Sequence, residues 1–298
     1  MPTFAQGVEH AITTAYRKTI WKSFIAAVQR YQLIQAGDRI AVCVSGGKDS
    51  FLLAKCMQLL QRHSKVPFEL VFLSMDPGFA PEKRQALEET AQLLDVPLQL
   101  FETDIFESIE QAKTSPCHVC AAQRRGHLYK QAQLRGCNKI ALGHHYDDVI
   151  ETTLMGILYG GEFKTMMPKL RSRNYEGMEL IRPLYLVREE HVRTFAQRFA
   201  LKAMTCACRV TQQAGGGGRS TVKKLIQDLK AINPNVEGSI FSAAEKVSLG
   251  AVLGWRLRDE GPFTSFLSHY GSEMSAGTSY PLTALPLDRT MPTESEGG

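Results

Sequence analysis

The sequence predicts an α/β protein with a parallel five-stranded sheet and helices on both faces. Two observations support this fold class. Between residue 36 and about residue 200, short β-rich apolar segments alternate with segments of helical spacing, an order typical of parallel sheets. Polar clusters also directly follow three of the predicted strands, and parallel sheets bind ligands at the carboxyl ends of their strands. Helical additions are expected before and after this core.

Each predicted strand is a short apolar run bounded by charge, glycine or proline. In chain order the strands are expected at residues 40–44, 68–75, 98–102 and 139–142 and within 179–185. The intervening segments carry apolar residues at helical spacing, which predicts helices over residues 51–60, 82–94, 121–134, 147–158 and 189–199. Outside this alternation, the spacing predicts one or two helices within 8–35, a basic amphipathic helix over 220–232 and helical structure over 240–254.

The same pattern divides the chain into four predicted parts. A helical segment over residues 1–35 precedes the α/β domain at 36–212, and a second helical segment follows at 213–258. The glycine-rich run at 214–218 is expected to be a flexible loop. The tail at 259–298 is rich in Ser, Gly, Thr and Pro, a composition typical of disorder.

Composition places the chain among globular proteins without a membrane segment. Of its 298 residues, 44% are hydrophobic, enough for a sizeable core, yet no run approaches the 18 or so apolar residues that span a bilayer. The first 18 residues lack the basic start and apolar run of a secretory signal, so we expect a cytoplasmic protein. The net charge of +5 is compatible with an acidic partner such as RNA.

The segment SGGKDS, directly after the first predicted strand, has the features of a phosphate site. A strand, a glycine turn and a helix start direct free backbone N–H groups and the positive end of the helix dipole at an anion. It is not a Walker A loop, because Asp49 follows the lysine where that motif has Ser or Thr. It resembles instead the SGGxDS loop of the PP-loop ATP pyrophosphatases, which cleave ATP between its α and β phosphates. The loop residues are Ser45, Gly46, Gly47, Lys48, Asp49 and Ser50.

Two further polar clusters follow predicted strands. Asp76 ends the second strand, and Gly143, His144, His145, Asp147 and Asp148 follow the fourth. Acidic residues at a helix start are favoured by the helix dipole, so the aspartates need no functional explanation when taken alone. Beside a phosphate loop, a role in Mg²⁺ binding gains weight, because carboxylate oxygens are preferred Mg²⁺ ligands.

The seven cysteines form no evident disulfide framework, because their number is odd and no export signal is visible. Three of them, Cys43, Cys56 and Cys137, lie in or beside predicted apolar elements and are expected to be buried structural residues. The other four form a CxxC unit and a CxC unit: Cys117, Cys120, Cys206 and Cys208. Their spacing alone leaves an iron–sulfur cluster, a zinc site and free thiols equally open.

Taken together, these segments resemble the tRNA 2-thiocytidine synthetases, a branch of the PP-loop enzymes. The resemblance covers residues 20–250 and is most specific in KIALGHHYDD at 139–148, which accompanies the CxxC unit. Further matches are PGF at 77–79, RRGHLY at 124–129, YGG at 159–161, MPKL at 167–170, RPL at 182–184 and FSA at 241–243. The resemblance implies the adenine nucleotide alpha-hydrolase-like fold of PP-loop ATPases.

The resemblance also implies an activity. The O2 atom of a cytidine in the tRNA anticodon loop would be adenylated, and sulfur would then replace that oxygen. ATP and Mg²⁺ would bind residues 45–50 with Asp76, Gly143 and His144, and the catalytic residues would be Lys48, Asp49 and Asp147. A [4Fe-4S] cluster would be bound by Cys117, Cys120 and Cys206, with Cys208 as the alternative third ligand. The expected partners are tRNA, a sulfur donor system (a cysteine desulfurase or free sulfide) and, as in many members, a second copy of the chain.

The chain departs from the family pattern in two places. One residue separates Cys206 from Cys208, where members commonly have two, and a glycine-rich insertion follows Ala214. Two other hypotheses therefore remain. The first is another PP-loop adenylating enzyme, lysidine synthetase-like or an amidating ligase, with a zinc or redox CxxC. The second is a non-catalytic nucleotide-binding regulator.

The candidate tRNA-binding cations are Arg124, Arg125, Lys164, Lys169, Arg171, Arg173, Lys223 and Lys224.

Overall fold

The computed structural model describes residues 2–103, 116–201, 218–257, 261–268 and 270, without the side chains of 116–122. The chain forms two compact units, Met1–Ala244 and Glu245–Gly298. The predictions for Cys206, Cys208, the loop at 214–217 and most of the tail lie outside the described residues. The four-part division of the chain stays a prediction.

The sheet of the first unit has six strands in the spatial order β3-β2-β1-β4-β6-β5. The strands are β1 Arg39–Cys43, β2 Glu69–Asp76, β3 Leu98–Glu102, β4 Lys139–Ala141, β5 Lys169–Arg171 and β6 Glu179–Ile181. The five predicted strands are confirmed, and all of their pairings are parallel. The sequence did not indicate β5, a three-residue edge strand that pairs antiparallel with β6, because its mostly exposed residues show no apolar pattern.

Helices follow the strands in the predicted alternation. They are α3 Lys48–His63, α4 Pro81–Leu93, α5 Pro116–Leu134, α6 Tyr146–Gly160 and α7 Glu189–Arg198. Before the sheet, the helical pattern within 8–35 is confirmed as α1 Phe4–Thr13, a π-helical turn Arg17–Trp21 and α2 Lys22–Arg30. Thr3 begins α1 with a capping box to Gln6, which satisfies two backbone N–H groups at the helix start.

After the sheet, the basic amphipathic helix is confirmed as α8 Gly218–Ile232, and α9 Val236–Ala243 follows it. The prediction of helix over 240–254 is wrong beyond Ala243. A 3₁₀ turn at Leu249–Ala251 and the short strand β7 Gly254–Trp255, paired with β8 Thr264–Ser265, occupy that region. Most residues from 245 to 251 are exposed, so no apolar face stabilises a longer helix there.

Both faces of the sheet are covered, which explains why β1 is apolar throughout. Ile40 and Val42 pack into the larger core, with residues of α1, α3, α4 and α7. Ala41 and Cys43 face the opposite side, where Tyr129 of α5 contributes to a second core. Neighbouring strand residues point to opposite faces, so a doubly covered strand needs apolar side chains at every position.

The order of the strands fixes the place of a ligand site. From β1 the chain moves outward through β2 to β3, then returns to the other side of β1 with β4 and β6. The segments that leave β1 and β4 therefore run in opposite directions and open a crevice between them. In open α/β sheets this switch point, at the carboxyl ends of the strands, is where ligands bind.

Candidate functional site

The loop at residues 45–50 joins β1 to α3 and is held closed by its own last residue. The Oγ atom of Ser50 accepts a hydrogen bond from the Ser45 N–H at 3.1 Å and donates one to the Gly47 carbonyl at 2.8 Å. Gly46 has φ +82°, a conformation that L side chains rarely adopt. The N–H groups of Ser50 and Phe51 bond to the Gly47 carbonyl, so the N–H groups that the helix start can offer to an anion are those that precede them.

Gly143, which follows β4, lies against this loop. A Cβ atom added at Gly143 would stand 3.1 Å from the Asp49 carbonyl carbon and 3.2 Å from the Ser50 nitrogen. Only glycine allows this approach without displacing backbone. The structure therefore brings the segment after β4 into contact with the phosphate loop.

Lys48 and Asp49 begin α3, and their side chains contact each other. The Nζ atom of Lys48 lies 3.0 Å from both carboxylate oxygens of Asp49 and 3.7 Å from Oε1 of Glu189. On the other side, Nε2 of buried His145 lies 3.7 Å from Oδ1 of Asp49. The loop cation is therefore placed between two carboxylates, where an incoming polyphosphate must compete for it.

The two aspartates at the start of α6 have different surroundings. Oδ2 of Asp147 accepts a hydrogen bond of 2.7 Å from the Glu189 N–H, which ties α6 to the start of α7. Oδ2 of Asp148 accepts one of 2.9 Å from the His145 N–H, and its Oδ1 lies 3.4 Å from Arg219. Burial opposes the charge of Asp148 and by itself would raise its pKa. The hydrogen bond from the His145 N–H and the nearby side chains of His145, His144 and Arg219 outweigh burial and lower the pKa of this carboxyl.

The structure adds charged residues that the sequence analysis did not place at this site, although it had named Lys223 as a candidate tRNA-binding cation. Arg188 and Glu189 stand at the start of α7, and Arg219 and Lys223 come from α8. Nε of Arg219 lies 3.0 Å from Glu151, and burial raises the pKa of that glutamate. The pair RE at 188–189 follows the fifth predicted strand, so its position at a strand end was the available signal. No sequence pattern placed α8 beside these acids.

His144 is a largely buried member of the site. Its Nδ1 atom is buried and has no hydrogen-bond partner, as is true of Nε in Arg182, which is 5% exposed. Burial first, and then the charge of Arg182, lowers the pKa of His144 to about 4. Burial likewise lowers the pKa of Arg182 to about 10. His144 is therefore neutral at pH 7, with a buried ring nitrogen that has no hydrogen-bond partner among the described residues.

Asp76, at the end of β2, organises its own turn. Its Oδ1 accepts hydrogen bonds from the N–H groups of Gly78 and Phe79 at 2.9 and 2.7 Å, and its Oδ2 lies 3.4 Å from Arg84. The side chain is nearly fully buried by these contacts. Its predicted place near the adenosine stays a prediction.

The cysteines fall into two groups. Cys43, Cys56 and Cys137 are buried, as the sequence analysis predicted, and burial raises the pKa of the Cys43 thiol to about 12. Cys117 and Cys120 belong to α5, which begins at Pro116, but their side chains are not described. Within the described parts of the chain, no three His, Cys, Asp or Glu side chains converge as a metal site.

Several candidate tRNA-binding cations already have protein partners. Lys164 pairs with Glu162, Lys169 donates to the Gln32 carbonyl at 3.2 Å, and Lys223 pairs with Glu189. Arg171 and Lys224 are exposed.

No helix in the described ranges is long and apolar enough to cross a bilayer.

Comparison with known proteins supplies the family. The PP-loop domain family matches residues 18–205. The tRNA-cytidine(32) 2-sulfurtransferase of Alkalilimnicola ehrlichii is 39% identical over 228 residues, 74% of this chain and 70% of the relative. The enzyme of that name from Citrifermentans bemidjiense is 34% identical over 244 residues, 80% of this chain and 93% of the relative.

A solved structure confirms the fold. The U34-tRNA thiolase NcsA from Methanococcus maripaludis, solved with its [4Fe-4S] cluster, superimposes with a TM-score of 0.60. The match covers 75% of this chain and 76% of that one, at 19% sequence identity. From the family match over residues 18–205 and the sequence relatives, we conclude that the chain belongs to the PP-loop domain family and, within it, to the tRNA-cytidine(32) 2-sulfurtransferases.

Proposed function

We propose that the chain is an ATP-dependent tRNA sulfurtransferase that replaces the C2 oxygen of an anticodon-loop cytidine by sulfur. The observation that carries the proposal is the contact of Gly143 with Asp49, which joins a phosphate-binding loop to an acid-bearing helix at the switch point of the sheet. The similar proteins from Alkalilimnicola ehrlichii and Citrifermentans bemidjiense are named as sulfurtransferases of cytidine 32 in tRNA, which supports this choice of target. The proposal places the enzyme in the cytoplasm.

The first step is adenylation. The cytidine O2 attacks the α-phosphorus of ATP, an O–P bond forms, and pyrophosphate leaves with the electrons of the broken bond. Lys48 and the backbone N–H groups at the turn between Gly46 and the start of α3 are placed to bind the phosphates and to stabilise the charge that develops on the leaving group. The step is needed because a ring carbonyl oxygen is a poor leaving group, whereas AMP is a good one.

Mg²⁺ would be held by Asp49 and Asp147 together with the phosphates. Magnesium is usually bound by one or two protein carboxylates plus substrate oxygens, so a complete protein cage is not required. The two carboxylates come from the starts of α3 and α6, which flank the crevice. The ring of buried His145 is near both carboxylates, 3.7 Å from Asp49 and 3.9 Å from Asp147.

The second step replaces oxygen by sulfur. Sulfide attacks C2 of the adenylated base, and the C2–O bond breaks with AMP as the leaving group. Cys117, Cys120 and Cys206, with Cys208 as the alternative, would hold a [4Fe-4S] cluster, which when bound supplies an open iron for the sulfide. The donor set fits, because thiolates suit such clusters and positions three apart on a helix such as α5 share a face.

The remaining partners follow from the chemistry. A cysteine desulfurase or free sulfide would supply the sulfur, and a second copy of the chain is an expected partner. The tRNA contacts would include Arg171, Arg173 and Lys224. Phosphate contacts release counterions, so tRNA binding should weaken as salt rises, and Arg171→Gln should reduce the slope by about one unit.

The test joins ATP cleavage to nucleoside analysis. Purified protein with tRNA and sulfide should release AMP and pyrophosphate and form 2-thiocytidine, detected by mass spectrometry. Lys48→Met should remove AMP release and leave the thermal unfolding midpoint nearly unchanged, because partly exposed ion pairs such as those of Lys48 with Asp49 and Glu189 contribute little to stability. AMP release at the wild-type rate by this variant would refute the assigned role of the loop. A colourless protein with stoichiometric zinc would favour the other PP-loop adenylating enzymes instead.

A further inference from the structure

One carboxylate in the site is shared by two lysines. Glu189 is the first residue of α7, and its Oε1 lies 3.7 Å from Nζ of Lys48 in the phosphate loop. Its Oε2 accepts a hydrogen bond from Nζ of Lys223, which belongs to the C-terminal helix α8. The loop lysine is thereby connected, through one side chain, to a helix some 170 residues further along the chain.

The sharing matters because Lys48 must bind phosphate. Lys48 and Glu189 are each 21% exposed, so their attraction is less screened than on an open surface. An unpaired Glu189 would attract Lys48 and would also repel the incoming triphosphate. A cation on the second oxygen of Glu189 reduces both effects.

Lys223 is well placed to provide that cation. Its neighbours on α8, Val222 and Ile226, are buried against α6, which fixes the helix beside α7. Burial disfavours both charges of the pair, but the hydrogen bond outweighs it, so the pKa of Lys223 is raised and that of Glu189 is lowered. Both groups are charged at pH 7.

We propose that Lys223 is a positioning residue of the nucleotide site: by holding Glu189, it leaves Lys48 available to the phosphates of ATP. The inference rests on the proposed function, since it assumes that the loop binds ATP. It gives the C-terminal helix a part in nucleotide binding, through charge and without a contact to the phosphates.

The test measures ATP binding by calorimetry, in Mg²⁺ and without tRNA. Lys223→Met should raise the Kd for ATP about fivefold, the size expected for a half-exposed ion pair. Adding Glu189→Gln to Lys223→Met should return the Kd to within about twofold of wild type, because Glu189 then no longer competes for Lys48 and Asp49 acts on it as in wild type. Lys223→Arg should bind like wild type. Unchanged binding by Lys223→Met, or weak binding that Glu189→Gln fails to restore, would overturn the inference.

Lys230 provides a matched control on the same helix. It is 45% exposed, against 44% for Lys223, and its Nζ lies 2.8 Å from Oε2 of Glu237. Glu237 does not contact Lys48, so Lys230→Met should leave the Kd within about twofold of wild type. An equal loss in both variants would assign the effect to the docking of α8 and overturn the role of Glu189. Failure of the wild-type protein to bind ATP would instead refute the proposed function itself.

Discussion

Gly143 packs on the backbone of Asp49, so closely that a Cβ atom would stand 3.1 Å from the Asp49 carbonyl carbon. The contact joins the segment that leaves β4 to the loop that leaves β1, two strands that are neighbours in the sheet although they are 95 residues apart in the chain. It sets the distance between the phosphate loop and the acids at the start of α6. The width of the nucleotide crevice therefore depends on residue 143 being glycine, which has no side chain.

Gly143→Ala should consequently weaken both stability and ATP binding. The added methyl group meets backbone atoms, which yield less readily than a flexible side chain, and such overpacking costs about 1–3 kcal/mol. Urea unfolding measures the loss. Gly7→Ala is the control, because nothing lies within 4 Å of the added atom and α1 gains up to about 1 kcal/mol from alanine. If Gly143→Ala were as stable as wild type, the segment after β4 could move away from the phosphate loop without a cost in free energy, which would contradict the prediction.

His144 should make stability depend on pH below neutrality. The unfolded chain protonates this residue around its ordinary pKa of 6.5, whereas the folded protein does so near 4. Between these values the unfolded state binds more protons, so stability is full above pH 6.5 and falls as the pH drops towards 4. From pH 7 to pH 5 the contribution is about 2 kcal/mol. His144→Gln should lose that much less stability than wild type over this range in urea unfolding, and parallel curves would contradict the shift.

The buried ion pair between Lys55 and Glu9 should be a main support of the N-terminal helix. Lys55 is 1% exposed, and its Nζ lies 2.6 Å from Glu9 of α1 and donates to the Leu94 carbonyl at 2.7 Å. Lys55→Met leaves Glu9, the Leu94 carbonyl and the Gln58 side-chain carbonyl without this donor, so the free energy of unfolding should fall by about 3 kcal/mol. The control Lys65→Met, at an exposed position, should change it by less than about 0.5 kcal/mol. A loss below about 1 kcal/mol for Lys55→Met would instead assign the anchoring of α1 to apolar packing.

Four cysteines are predicted or alternative ligands of the cluster, and the buried cysteines of the core serve as controls. Cys117→Ser, Cys120→Ser and Cys206→Ser should each lower the iron content of anaerobically purified protein, because serine replaces a thiolate ligand of the cluster. Cys56→Ala should retain iron, since Cys56 is buried in the core. Cys208→Ser decides the third ligand: iron is kept if Cys206 binds and lost if Cys208 does. Full iron in all four serine variants would exclude a cluster on these residues.

The sequence was a good guide wherever a local pattern had one physical cause. The apolar run of β1 reflects burial on both faces of the sheet. The twelve residues 39–50 contain the strand, the glycine turn and the start of the helix, and SGGKDS supplies the turn and the helix start. The failures have causes as well. Strand β5 exists only because β6 offers an open edge, and the helix predicted over 240–254 had no core to pack on after Ala243.

The sequence by itself determined the alternation of the five parallel strands with their helices, the phosphate loop and the family, because each depends on motifs of residues that are close together in the chain. Only the tertiary structure decided which charges meet at the site. Glu189, Arg219 and Lys223 reach the loop and the acids of α6 through the packing of α7 and α8, and no short-range pattern encodes that packing. Electrostatic partners are set by distance in space, which the linear order of residues leaves open.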